Sequence, residues 1–463
     1  MNIRTLALLL ALGVTTARSA DLASVADGKT DATAVLQQLI DSGVGDIELP
    51  KGSYLLTKTL IVDLDKTGYT SFNGHGVSRL IMSAAGPAIH FVGTHEGSAA
   101  PSTVKPNVYD KQRTPMVDAV EIIGAHEEAD GIEATGTMQL TVSRTTVRDC
   151  RHCVHLTKLN RNFIVTDCHF YNNRGIGVFY DNVNLHQSII VGTHISYCKG
   201  GGVVNHGGNV RNVQIGTCDI EGNMSADSPP TANIWLDSTG GSIGEVTITG
   251  CTLQHSSKAP GCANIRIEGA GADPSLEKRT GEKNTREGNV TITANVFSDI
   301  QLNVEIKNSR GITVTGNTFW EGFQHDLVVE NSSHIVVANN NFDRNPRYAV
   351  NGFNAAENNG IVFKGCSECM IQGNVVSGVM RQRAALDISD CSRLNIAHNS
   401  IFDSDGVGIL LENVKQSLLS DCIVRDDRAE DVRSKEPSLK ITGGTDNMIG
   451  SNLLGNGKVM ADK

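Results

Sequence analysis

An all-β solenoid is the fold this sequence predicts, and three observations predict it. From about residue 130 onward one phrase keeps returning: an apolar-x-apolar strand, a tight polar turn and a second strand, with Asn or Cys at a fixed place. It reads IVTDCHF at 164–170, VQIGTCDI at 213–220, VTITGCTL at 246–253, VTITANVF at 290–297, ITVTGNTF at 312–319, VVANNNF at 336–342, MIQGNVV at 370–376, NIAHNSI at 395–401 and LLSDCIV at 418–424. Its period of roughly 22–26 residues makes each repeat one turn of a coil. The composition agrees: 463 residues with 48 glycines and only 5% aromatics suit many tight turns and a scaffold that grows by adding coils.

The elements follow in order. Residues 1–19 read as an export signal: Arg4 in a short basic start, an apolar run from Leu6 to Val14, and Ala17-Arg18-Ser19 before cleavage at Ala20. No later run approaches the ~20 apolar residues of a membrane span. A secreted or periplasmic location without membrane insertion is expected. Residues 20–93 form a cap and the first coils. There Ala32 to Ser42 is a short amphipathic helix with Val35, Leu36, Leu39 and Ile40 on one face. DIELPKGSYLLTKTLIV then reads as two strands around a Pro-Lys-Gly turn, and SFNGHGVSRLIM at 71–82 as an irregular coil.

This stretch carries a resemblance. DGKTDATAVLQQLIDSG, IELPKGSYLLTKTL and FNGHGVSRLIM, in that order, are similar to the N-terminal segment of pectate-lyase-superfamily β-helix proteins. That group includes polygalacturonase-like and rhamnogalacturonase-like enzymes and phage tailspikes. The resemblance implies a right-handed parallel β-helix, single-stranded and capped by the helix, in a carbohydrate-directed protein. It does not choose a reaction, because the group holds hydrolases, lyases and non-enzymatic adhesins. Gly74-His75-Gly76 resembles the Gly-His-Gly of polygalacturonases, but it lies in the entry segment and lacks the accompanying Asn-Thr-Asp and Asp-Asp motifs.

Two insertions interrupt the coils. Residues 94–117 are polar and Pro-containing, and residues 269–288 are heavily charged, so both are expected as surface loops on the coils of 118–442. Residues 443–463 lose the period and are expected as a C-terminal cap or tail. Of the eleven cysteines, Cys168, Cys218, Cys251 and Cys422 share the repeat position of Asn295, Asn317, Asn340, Asn374 and Asn399. Cys366 and Cys391 share a second position. They are expected as buried rungs with free thiols. Cys366-x-x-Cys369 has no second half, so no metal centre is expected from it.

Stacking the coils lines up the outward residues of one strand. The first column is predicted to run Glu133, His155, Phe179, Val203, Trp235, Arg266, Glu305, Val328, and the second Thr157, Asp181, Asn205, Asp237, Glu268, Lys307. Aromatic faces beside acids and an Arg suit a saccharide, with rings against the C–H face and polar groups on the hydroxyls. The candidate catalytic residues are Asp181, Asp237, Glu268, His155 and Arg266. The candidate substrate-binding residues are Trp235, Phe179, Asn205, His206, Glu133, Glu305 and Lys307.

Hydrolysis of a polysaccharide or oligosaccharide needs two carboxylates, and Asp237/Glu268 on adjacent coils or Asp181/Asp237 two coils apart are both admissible. A lyase acting by β-elimination on an acidic polysaccharide needs a base and a cation instead. His155, Arg266 and Lys307 could serve, or calcium held by Asp181, Asp237 and Glu268. Otherwise no cofactor is expected. A non-catalytic carbohydrate-binding solenoid is the third reading. The net charge of −10 argues against a nucleic-acid partner; oligomeric state is left open.

Overall fold

The computed structural model describes residues 22–269, 277–279, 281, 287–347 and 356–461. The export segment and most of the 269–288 insertion lie outside the described residues. The chain divides into two compact units, one ending at Lys199 and one beginning at Gly200.

In the first unit the helix spans Thr33–Asp41 and buries Leu36 and Ile40. The segment expected as two strands forms three: Asp46–Glu48, Gly52–Leu56 and Leu60–Asp63. Three parallel stacks follow. One runs through 46–48, 71–73, 116–118, 141–143 and 164–166. A second passes from Gly52–Leu56 to 78–82, 120–124, 146–148, 169–171 and 194–196. The third runs from 60–63 through 89–92, 132–135 and 154–157 to 178–181. The 94–117 insertion holds a single 3-10 turn at Pro101–Thr103 and a short π turn at Val108–Gln112 before strand resumes at Met116.

The second unit repeats the plan. Its strands pair parallel in three stacks, represented by 234–237 on 265–268, 246–249 on 290–293, and 252–253 on 296–297. Strands at Met448–Ile449, Leu453–Leu454 and Lys458–Ala461 continue the three stacks, each paired with the coil before it. The result is a single-stranded parallel β-helix.

A polar row through the second unit's core explains the repeat phrase. Each rung follows a residue in the left-handed region, for example Ala294, Gly316, Asn339, Gly373 and His398 ahead of Asn295, Asn317, Asn340, Asn374 and Asn399. That bend turns the next side chain inward. The amide Oδ1 of Asn317 then accepts the backbone N–H of Asn295 at 3.0 Å and its Nδ2 at 3.1 Å, and Asn340 does the same for Asn317. The row's backbone N–H groups thus meet an acceptor one coil on, while each Nδ2 also donates one coil back, as Asn317 does to the Ile292 carbonyl at 3.1 Å. Beside the row, Phe297, Phe319 and Phe342 stack at 4.7 and 4.5 Å between centroids.

Cysteine fills the same rungs elsewhere. Cys251 donates its N–H to Asn295 Oδ1 at 2.9 Å, and Cys366 donates its N–H to Cys391 Sγ at 3.3 Å, the second row. All eleven cysteines are buried free thiols. Burial pushes the Cys168 thiol up to about 12, which keeps it un-ionised and inert. The native protein is therefore expected to show no reaction with a thiol reagent until it unfolds, and reductant is expected to leave its melting temperature unchanged. Rapid labelling of several thiols in the folded state would refute the assignment.

Candidate active site

In the first unit the outward column forms as expected. His90, Glu133, His155 and Phe179 are register neighbours, and Asp181 follows Thr157 in the next column. His155 Nε2 lies 3.0 Å from Asp181 Oδ2, and the His155 and Phe179 rings stack at 5.1 Å and 9°. Sequence reasoning missed His152 and His90. His152 closes the aromatic group, 5.4 Å from His155 and 5.1 Å from Phe179, and its Nδ1 accepts the Ile176 N–H. Burial lowers its pKa to about 4, so this ring is neutral. Glu133 faces His90 at 3.6 Å. Neither missed histidine belongs to the repeat phrase; ring contacts join His152 to the column, and strand register joins His90.

The second unit requires one correction. Val204, not Val203, pairs with Trp235, and His206, not Asn205, pairs with Asp237. Asn205 is 0% exposed and donates through Nδ2 to the Asp237 carbonyl, so it is a core residue and not a substrate ligand on the face. Val203 and Val204 are both buried, so alternation has no phase there, and a slip of one residue exchanges the faces. His206 takes the outward place. It stands 3.5 Å from Asp237 Oδ2 and edge-on to Trp235 at 5.1 Å.

From there the columns hold. Trp235, Arg266, Glu305 and Val328 are consecutive neighbours, as are Asp237, Glu268, Lys307 and Glu330. Trp235 packs on Ala232, Ala263, Leu302 and Val328, with the Arg266 guanidinium 5.3 Å from its ring. Arg266 is occupied: Nε donates to Glu305 at 2.5 Å and Nη2 to the Gly261 carbonyl at 2.6 Å. Lys307 adds a second contact to Glu305 at 2.7 Å. Burial would raise Glu305, but these two cations hold it below the usual carboxylate range.

The two acids of the second column differ. Burial works against the Asp237 anion, yet His206 and Thr239 outweigh it and the pKa falls; the Thr239 N–H donates to Oδ1 at 2.9 Å. Glu268 moves the other way. Burial raises it and the Asp237 charge adds to the rise, while Asn308, which donates to Oε1 at 2.6 Å, only partly offsets it. Adjacent register places their backbones ~4.8 Å apart. Of the two pairs considered from sequence, this one lies within a single unit; Asp181 belongs to the other.

A second titratable group stands at the corner that leads into these strands. His255 Nδ1 lies 3.4 Å from Asp299 and Nε2 3.7 Å from Glu221. Behind Asp299, Glu321 is 3% exposed with Oε1 unpartnered. Burial, then its hydrogen bond to Asp299, raises Glu321 to about 9. The folded protein therefore binds a proton that the unfolded chain releases near the ordinary Glu value, ~4.3. The associated stability is fully present below that value and is lost as pH rises toward about 9. Melting temperature is expected to fall from pH 5 to 9, and Glu321→Gln to flatten that slope; an unchanged slope would remove the assignment. Nearby, Asn233, Asn264 and Asn303 form a buried amide row ending on Asp326 Oδ1 at 2.7 Å. Its signal was in the sequence, two residues ahead of Trp235, Arg266, Glu305 and Val328.

Comparison with known proteins bears on the fold. A family model described as right handed beta helix region matches residues 120–253. The chain is a right-handed parallel β-helix protein. A second model, described as periplasmic copper-binding protein (NosD), matches residues 245–461 of this β-helix, just under half the chain. No curated protein sequence matches significantly. Among solved structures, the Dettilon tailspike protein is similar at 13% identity and TM-score 0.49, over 94% of this chain and 66% of that one. Tailspike protein 2 of Escherichia coli O157:H7 bacteriophage CAB120 gives 13% and 0.42, over 76% and 41%. The A-module of an Azotobacter vinelandii mannuronan C-5 epimerase gives 10% and 0.36, over 92% and 96%. The chain therefore spans 66% and 41% of the length of these two tailspike chains.

The name of the second family raises the question of copper ligands. Among the described residues of 245–461, no three His, Cys, Asp or Glu ligand atoms lie within 4.8 Å of one another. The thiols there are buried, and those of Cys251, Cys366, Cys369, Cys391 and Cys422 donate to backbone carbonyls. These residues do not fit a copper centre. Among the described residues no helix is long and apolar enough to cross a membrane.

Proposed function

We propose that this β-helix is an exported enzyme that cleaves glycosidic bonds of a polysaccharide by hydrolysis, with Asp237 and Glu268 as its carboxylate pair. One observation carries the reading: two acids on adjacent strands whose surroundings push their pKa values in opposite directions. That is the division of labour glycoside hydrolysis needs. Asp237, held ionised by His206 and Thr239, is the nucleophile. Glu268, raised by burial, keeps the proton for the leaving oxygen. Trp235 and His206 supply ring surface for the sugar, and Arg266 with Glu305 and Lys307 fixes the strand between them. Adjacent strands carry the two side chains, an arrangement compatible with the ~5–5.5 Å carboxyl separation of retaining enzymes, so retention of anomeric configuration is the expected outcome.

Elimination is the weaker reading at this place, because among the described residues the two cations beside the pair, Arg266 and Lys307, are both held by Glu305. Incubation with a polysaccharide panel separates the readings. Hydrolysis yields new reducing ends without absorbance near ~235 nm, whereas elimination yields both, the absorbance arising from the conjugated product. Loss of activity to a chelator would support a calcium-dependent lyase. Binding without any product would leave a carbohydrate-binding module.

A further inference from the structure

The first unit carries a cleft of about 610 Å³ on a face other than that of His155 and Phe179. Its lining includes Lys51, Ser53, Arg79, Arg144, Thr146 and Tyr171. One outward column supplies the floor, since Ser53, Arg79, Glu121 and Thr146 are consecutive register neighbours. Gly76 of the Gly74-His75-Gly76 triplet lines the recess. A Cβ at Gly74 would stand 2.6 Å from the Ala119 carbonyl, so the coils close only on glycine. Gly76, at φ +72°, has nothing within 4 Å of its Cβ position and leaves the mouth open.

The charges in the cleft are held but not used up. Both oxygens of Glu121 are taken, one by Arg79 Nε at 2.6 Å and one by Arg148 Nε at 2.8 Å. Arg79 thus spends one donor of its guanidinium, and its side chain is 57% exposed. Arg144 spends Nε and Nη2 on Asp118, which leaves Nη1. Lys51 makes no ion pair among the described residues. Fixed guanidiniums with donors to spare match a planar carboxylate, and a tyrosine ring with two hydroxyls at the same mouth matches a sugar. The volume is that of a small-ligand site.

We propose that this cleft binds a carboxylated sugar, a uronate residue of an acidic polysaccharide, through Arg79, Arg144 and Lys51. The inference rests on the cleft's own residues and holds whether or not Asp237 and Glu268 turn the polymer over. Its test uses the full chain carrying Asp237→Asn, with tetrasaccharides of galacturonate, glucuronate and mannuronate, their neutral methyl esters, and inorganic phosphate. Calorimetry is expected to show at least one uronate binding with a dissociation constant below about 1 mM, its methyl ester at least about tenfold weaker. Arg79→Gln, which leaves Glu121 paired with Arg148, and Lys51→Ala are each expected to weaken binding about tenfold or more while the melting temperature holds. Phosphate binding as tightly as the sugar would show a simple anion site and overturn the proposal. So would the absence of uronate binding, or binding untouched by both variants. Because turnover is not read, this result stands apart from that of the hydrolysis assay.

Discussion

Asp237→Asn is expected to lower kcat/KM on the polysaccharide by about 10²–10⁴-fold or more, with the chain still folded. The amide is isosteric and can keep the Thr239 N–H contact seen at 2.9 Å, so stability changes little while the anion disappears. Glu268→Gln is expected to lose as much on the natural polymer but far less on an aryl glycoside whose leaving group needs no proton. That asymmetry assigns nucleophile and acid, which a general loss of activity would not. The pH profile follows from the same shifts. kcat/KM rises as Asp237 ionises, below the usual Asp range, and falls as Glu268 loses its proton, above the usual Glu range. The plateau therefore widens at both ends, and Glu268→Gln removes the falling limb. Equal losses on both substrate types, or inversion of configuration by NMR, would sink the assignment.

The second large effect is structural. Asn340→Ala removes the acceptor for the Asn317 backbone N–H and Nδ2, both at 3.0 Å, and the donor to the Val314 carbonyl and Asn374 Oδ1. Each buried group left without a partner costs about 1–3 kcal/mol, so a total of about 3 kcal/mol or more is expected. Asn340→Cys should cost clearly less, because a thiol occupies this rung in other coils and accepts a neighbouring N–H, as Cys391 does in the second row. Urea unfolding of both variants checks the order. Alanine no worse than cysteine would mean that packing, not hydrogen bonding, sets the repeat.

Much of this was legible in the sequence because a β-helix writes its period directly into the chain. The Asn and Cys rungs and the Trp235–Arg266–Glu305 column were placed correctly, since each coil there alternates cleanly. Legibility failed where alternation did. The Val203-Val204 doublet sent Asn205 outward on paper, while strand pairing turns it into the core. The amide row ending at Asp326 has the right spacing for the outward face, but its members are fully buried and bond to one another from coil to coil. His152 and Glu321 lie outside the phrase, at bends that repetition does not describe. The opposite shifts of Asp237 and Glu268 could not be read at all, because the rise of Glu268 follows from its burial and the fall of Asp237 from His206 and Thr239, neither of which the predicted columns contained.

The amide row has a consequence for how such a chain changes length. From Asn295 to Asn399 each rung's Nδ2 donates back to a carbonyl of the coil before it, and from Asn295 to Asn374 it also donates forward to the next rung's Oδ1, so every joint between coils is bonded from both sides. A whole coil can therefore be duplicated or deleted and the joint will still match donor to acceptor. A fraction of a coil cannot, because it leaves an N–H facing no oxygen. Gene-level gain and loss in whole periods is thus tolerated by the hydrogen bonds themselves, and the number of coils is free to drift while the shape of each stays fixed.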